Sequence, residues 1–274
     1  MKKDLISEQQ DYRYLEWSRI RRSSGTAGSF LKSFSTERGK KRYYKLSNYD
    51  AIYGITGHEC VNELIAGRLL TVLGIEHLHY QLIHAQILVN GKEQETWLCG
   101  SDDFKKTSES KIALDVFYQL ERKEDETPME FCIRMGWETY IYEMLLVDFL
   151  ILNRDRHGAN IEVLRDRSAR SIRLAPLFDH GLSMFFQCKT DEDLDRENVM
   201  ADKRIQCFAG TDSVFKNLKL IPREKTPVIK PLHQADREVL LAGLDRVLSQ
   251  KHLEKLWELL WKRWCYYEDF CNKR

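Results

Sequence analysis

Asp155 and Asn160 lie five residues apart in the run Asn153-Arg154-Asp155-Arg156-His157-Gly158-Ala159-Asn160. Asp179 follows 19 residues after Asn160, in Leu174-Ala175-Pro176-Leu177-Phe178-Asp179-His180-Gly181-Leu182-Ser183. Two carboxylates and an amide in this order suit phosphoryl transfer from a nucleotide. One carboxylate orients an acceptor hydroxyl and takes its proton, while the amide oxygen and the second carboxylate hold Mg²⁺ against the phosphates. Oxygen donors match that hard cation. Few residues are needed, because such transfer rests on positioning and on neutralising charge. The spacing D-x-x-x-x-N alone is a weak signal, since turn aspartates and asparagine caps are common.

The elements that must place these side chains are legible around them. The apolar residues Trp137, Tyr140, Ile141, Met144, Leu145, Phe149 and Leu152 predict one long helix over 129–152, delivering the chain to Asp155. Asp148 falls on that apolar face, and a buried acid must be paired, so we expect it to hold the loop through His157 or backbone amides. Strands at Ile161–Leu164 and Ile172–Ala175 separate Asn160 from Asp179. Upstream, Arg42–Leu46 reads as a strand carrying Lys45. A helix over 57–74 bears Val61, Leu64, Ile65, Leu69, Val72 and Leu73, stops at Gly74, and carries Glu59 and Glu63 off its apolar stripe. Gln81–Val89 and Glu93–Cys99 form a hairpin around Asn90-Gly91, the preferred two-residue turn. Further helices are expected at 112–123, 236–249 and 252–270, with an acidic loop at 191–197.

The run Ser23-Ser24-Gly25-Thr26-Ala27-Gly28-Ser29 sits within residues 19–45, which hold nine basic residues against the single acid Glu37. Small residues let consecutive backbone N–H groups cradle phosphate. A Gly/Ser loop, a strand lysine, a helix glutamate, a hairpin, a loop and then helices is the order of parts in a protein-kinase-like fold.

With those parts in place, the chain resembles the HipA-like Ser/Thr kinases over about residues 20–270. The resemblance is carried by Asn62-Glu63-Leu64 leading into Leu73-Gly74-Ile75, by the run from Asn153 to Asn160, and by Leu174 to Asp179. It implies ATP and Mg²⁺ as cofactors and transfer to a Ser or Thr of a protein. By it, Asp155 matches the catalytic base, Asn160 and Asp179 the metal pair, Lys45 the phosphate-contacting lysine, and Glu63 its helix partner, with Glu59 an alternative. Ser24, Gly25, Thr26, Ala27 and Gly28 take the phosphate-loop place. Cys99 to Asp102 take the place of the hinge whose backbone meets adenine, with Cys99 and Ser101 among the nucleotide-binding residues. It also raises a separately encoded antitoxin-like partner. The sequence departs from the eukaryotic pattern: the nucleotide loop is not G-x-G-x-x-G, and the metal loop reads Phe178-Asp179-His180.

The expected fold is therefore α+β and bilobal. A small lobe of antiparallel strands with one helix covers 1–100, and a larger, mainly helical lobe covers 101–274, with ATP and Mg²⁺ between them. Hydroxyls at Ser23, Ser24, Thr26 and Ser29 are candidates for autophosphorylation. His77, His79 and His84 read as surface histidines. Composition removes other classes. Lys+Arg is 43 against Asp+Glu 42, a net of +1, so a DNA-coating protein is not expected. Seven scattered cysteines without a C-x-x-C pair fit reduced thiols in a cytoplasmic protein, and the N-terminus has no signal-peptide core. No stretch is long and apolar enough to span a membrane. The rival readings are a phosphoinositide or small-molecule kinase, a metal-dependent phosphohydrolase using Asp155, His157, Asp179 and His180, and a non-catalytic binding module.

Overall fold

The computed structural model describes residues 4–20, 27–37 and 39–272. Its N-terminal part is built on a six-stranded sheet formed by β1 (Leu5–Asp11), β2 (Ser18–Ile20), β3 (Ala27–Glu37), β4 (Lys40–Leu46) and two later strands. The short pair β5 (Tyr49–Asp50) and β6 (Gly54–Ile55) leads into α1 (Glu59–Leu73), followed by β7 (Tyr80–Val89) and β8 (Lys92–Asp102). The spatial order is β1-β7-β8-β4-β3-β2. Every pair is antiparallel except β1 with β7, which run parallel, so the sheet is mixed at one edge. Asn90 and Gly91 both have positive φ, as the predicted hairpin turn requires.

Both faces of the sheet are covered, and strand alternation sorts the side chains between them. Leu5, Leu82 and Cys99 join the main core with α1. Tyr44, Leu46, Ile83, Ala85, Ile87, Val89 and Leu98 pack on the other side against Leu15, with Tyr12 and Trp17 at its border. Lys45 pairs with Cys99, and Cys99 with Leu82, so Lys45 shares the α1 face of the sheet. Helix α1 is buried nearly all round and ends where Gly74 turns left-handed, φ 78°, a conformation glycine adopts without steric cost.

After the sheet come β9 (Glu109–Ala113), α2 (Leu114–Glu121), α3 (Pro128–Arg134) and α4 (Glu138–Ile151). Residues 112–113, expected as helix, instead pair as strand with 162–163. The single helix expected over 129–152 is two helices. Gly136, φ 76°, ends the first, which starts from a capping box between Thr127 and Glu130. β10 (Asp155–Arg156), β11 (Glu162–Asp166) and β12 (Ser171–Leu174) follow, then α5 (Asp191–Asp195) and β13 (Gln206–Cys207). The predicted acidic loop is thus largely helical. Thr190 and Asp193 cap it, and its acids sit at the helix N-terminus, where the dipole favours them. Last come α6 (Val214–Leu218), α7 (Asp236–Leu241) and α8 (Gln250–Asn272). The helix expected over 236–249 stops early because Gly243 turns left-handed, φ 73°. Trp257, Leu260, Trp264 and Tyr267 of α8 lie in the same core as Phe149 of α4.

None of the seven cysteines is disulfide-bonded. Among the described residues no helix is long and apolar enough to cross a membrane.

Candidate active site

The chain after α4 is fixed by an ion pair inside the core. Arg156, 1% exposed, grips Asp148 with two nitrogens, Nε to Oδ2 and Nη2 to Oδ1, both at 2.9 Å. Its remaining nitrogen, Nη1, donates to Phe178 O at 2.7 Å, and Asn153 Nδ2 donates to Asp148 Oδ1 at 2.8 Å. Asp148 therefore organises the loop as expected, but through Arg156 and Asn153 rather than His157. Burial disfavours the Arg156 charge, yet Asp148 outweighs it and holds the guanidinium above its ordinary value. One guanidinium thus ties α4 to the backbone just before Asp179. A second tie comes from β13: Asp155 pairs with Gln206 and Arg156 with Cys207. Gly158 passes so close to α2 that a Cβ there would lie 2.6 Å from Asp115 Cβ and 2.8 Å from Phe208 Cδ2.

Asn160 Nδ2 donates to Asp155 O at 2.9 Å, which leaves its amide oxygen for another partner. The Asp155 carboxyl is raised above its ordinary value by burial and by the negative charge of Asp179, while His157 acts in the opposite direction. His157 Nε2 lies 3.6 Å from Asp155 Oδ1 and its side chain is 42% exposed.

The lysine and the second acid meet across the fold. Lys45 Nζ is 2.9 Å from Glu63 Oε1 and 2.5 Å from Asp179 Oδ1. Burial alone would lower the ammonium, but Asp179 and Glu63 together hold it well above its ordinary value. Glu63 is buried and raised by that burial, with Lys45 opposing. Glu59 is not the partner: its Oε2 accepts from Asn48 N at 3.1 Å. Asp179 sits at φ 59°, Leu152 at 53° and Met184 at 52°. Left-handed backbone without glycine costs energy and persists only where surroundings impose it. Here it marks the start of the Asp155 loop and both sides of the Asp179 turn.

Lys45 and Asp179 border a cleft of about 750 Å³, within the range of a small-molecule site, whereas Asp155, Asn160 and Glu63 are not among its lining residues. Lys45, Tyr80, Cys99, Ser101, Phe104, Phe178 and Asp179 line it. Cys99 and Ser101 reach the cleft from the end of β8. Both remain in β8, paired with β4 on one side and β7 on the other, and the chain leaves the sheet after Asp102. Cys99 is buried against Cys60, whose hydrogen bond raises its thiol well above the ordinary value, with burial adding to it. Of the expected phosphate loop, Ser24, Gly25 and Thr26 lie outside the described residues, as does Ser23. Ala27 and Gly28 open β3.

The donor set suits a magnesium nucleotide. Asp179, Asn160 and Asp155 offer oxygens, the donor type a hard divalent cation takes. The phosphohydrolase arrangement is not assembled. His180 is buried behind Glu63, its Nδ1 3.8 Å from Oε2, and among the described residues no three His, Cys, Asp or Glu side chains cluster as a metal site. His77 is buried rather than on the surface, its Nδ1 2.8 Å from Ile75 O and its Nε2 3.3 Å from Thr71 Oγ1. Sequence reading missed Arg156, Tyr80 and Asn62. Tyr80 OH accepts from Asp179 N at 3.4 Å, and Asn62 bonds to the Asp179 loop. Asn62 and Arg156 stand in the runs Asn62-Glu63-Leu64 and Asn153 to Asn160, but nothing in either run assigns them a role.

No family model and no curated protein matches this sequence. Among solved structures, the crystal structure of a proinflammatory kinase, CtkA, from Helicobacter pylori is similar to it with a TM-score of 0.64 at 16% identity, over 96% of each chain. HipA of Shewanella oneidensis MR-1, solved with HipB and operator DNA, gives a TM-score of 0.41 at 13% identity over 92% of this chain and 59% of that one. A Neurospora crassa PAN3 pseudokinase gives 0.32 at 11% identity. The likeness to the Helicobacter kinase extends over nearly the whole of both molecules, and this chain has its α+β kinase fold.

Proposed function

We propose that this protein is an ATP- and Mg²⁺-dependent phosphotransferase acting on Ser or Thr of a protein. The observation that carries the reading is Lys45 Nζ held between Glu63 and Asp179 at the wall of the cleft. Such a cation, buried and fixed by two acids from separate elements, is placed to meet phosphate oxygens. When bound, the magnesium nucleotide supplies the transferable phosphoryl group and screens its charge. Asn160 and Asp179 are the residues that would hold the metal. Asp155 orients the acceptor hydroxyl and takes its proton on the carboxylate, for which a raised affinity for protons is useful. Glu63 keeps Lys45 extended toward the cleft. In this reading the sheet and α1, up to about residue 100, form the nucleotide lobe, and residues 101–274 form the lobe that carries Asp155.

The test is to incubate the protein with γ-labelled ATP, Mg²⁺ and cell extract, beside Asp179→Asn. Acid hydrolysis of the labelled material should release phosphoserine or phosphothreonine, with none from the Asp179→Asn sample. Label in lipid or a small metabolite would move the acceptor to another class. Release of free phosphate alone would contradict transfer.

A further inference from the structure

Asn62 lies on α1 one residue before Glu63 and is 1% exposed. Its side-chain nitrogen donates to Gly181 O at 3.1 Å and to Ser183 O at 2.8 Å. Both amide hydrogens are therefore spent on two carbonyls of the same turn, and the amide orientation is forced, since its oxygen would repel them. Glu63 takes the other end of the turn, with Oε2 accepting from His180 N at 2.8 Å. Two neighbouring side chains of one helix thus hold the turn that follows Asp179, while Tyr80 meets its N–H. The left-handed backbone at Asp179 and Met184 needs such restraint to persist.

We propose that Asn62 is a positioning residue, which sets the Asp179 carboxylate in place to receive a cation by clamping Gly181 and Ser183 to α1. This rests on the phosphotransferase reading. It also means that α1 controls two parts of the site together: displacing the helix would remove the Glu63 partner of Lys45 and release the Asp179 turn in one motion. Helix α1 has a separate anchor, in which Arg68 Nη1 donates to Leu240 O at 3.0 Å and Ala242 O at 2.9 Å. That anchor provides a comparison that leaves the Asn62 bonds intact.

The experiment compares wild type, Asn62→Leu, Asn62→Ser and Arg68→Leu. It titrates Mg²⁺ in the presence of a non-hydrolysable ATP analogue by calorimetry, and measures amide hydrogen exchange over residues 179–185. Loss of a residue that orients a metal ligand costs about 10–100-fold in metal affinity, so both Asn62 variants should need at least about tenfold more Mg²⁺. Metal-free nucleotide binding should be unchanged, and exchange at 181–184 should accelerate by a similar factor. Arg68→Leu should lower the melting temperature without moving either quantity. Asn62→Ser covers the case in which Asn62→Leu does not fold, since it keeps a buried donor too short to span both carbonyls. Unaltered Mg²⁺ demand and exchange in a folded Asn62 variant, or equal changes in Arg68→Leu, would overturn the assignment. If wild type binds no nucleotide, the phosphotransferase reading falls by itself, and the exchange measurement still decides whether Asn62 holds the turn.

Discussion

At the residue scale, the decisive groups are those whose charges depend on one another. Asp155 sits in a field where burial and Asp179 favour its neutral form and His157 favours its ionised form. If its carboxylate takes the acceptor proton, activity must fall as that group protonates. The acid limb of the pH–rate profile should therefore lie above the ordinary carboxylate range. In His157→Ala a favourable charge is lost, the carboxyl rises further, and the limb should move to higher pH. A limb that stays put in His157→Ala would show that another group is titrating. Asp155, Asn160 and Asp179 stand out in the sequence by their spacing around a predicted strand pair, and Lys45 by its place on a predicted strand together with the family resemblance. Asn62 and Tyr80 do not, because their roles lie in contacts 119 and 99 residues away along the chain.

At the scale of elements, the loop after α4 is held by pairing that no local pattern announces. The Asp148–Arg156 bond spans eight residues and closes inside the core. Removing one member leaves the other charged and buried, so Arg156→Met should cost about 3–5 kcal/mol, read as a lowered denaturation midpoint. Asp148→Leu with Arg156→Met should recover much of that stability yet stay weak in transfer, because Phe178 O loses its donor. If the double variant is as active as wild type, the pair serves packing only. Gly158→Ala would force a Cβ against Asp115 and Phe208, and should cost about 1–3 kcal/mol together with much of the activity. The broken helices were misread for related reasons. A glycine such as Gly136 is tolerated within a helical pattern, so only the surrounding packing shows that it ends one helix. The strand at 109–113 pairs with residues 162–166, 49 to 57 residues downstream, and its short apolar run suits either structure.

At the scale of the whole molecule, α1 and the C-terminal helices are stitched into one core, and His252 reports on that union. It lies on α8 with its ring 4.9 Å from that of His58, the residue before α1. Burial, then the neighbouring His58, pushes His252 down to about 4 from an ordinary 6.5. Between those values the unfolded chain binds a proton that the folded chain does not. Stability from this site is thus complete above about pH 6.5 and declines as pH falls toward 4, by up to about 3 kcal/mol. Thermal melts of His252→Phe should show a flatter dependence over that window. An unchanged slope would place the titration elsewhere. The general plan, a sheet with one helix followed by helices, could be read from hairpin and helix periodicities, whereas the parallel β1 edge and the β10–β13 link could not, since both depend on distant pairing. Whether these elements converge to transfer phosphate is decided by label transfer from γ-labelled ATP to protein, measured for wild type and Asp155→Asn with nucleotide binding followed in parallel. Asp155→Asn should bind nucleotide as wild type does and transfer at least about 10²-fold more slowly. Equal transfer by both proteins would rule out Asp155 as the group that takes the acceptor proton.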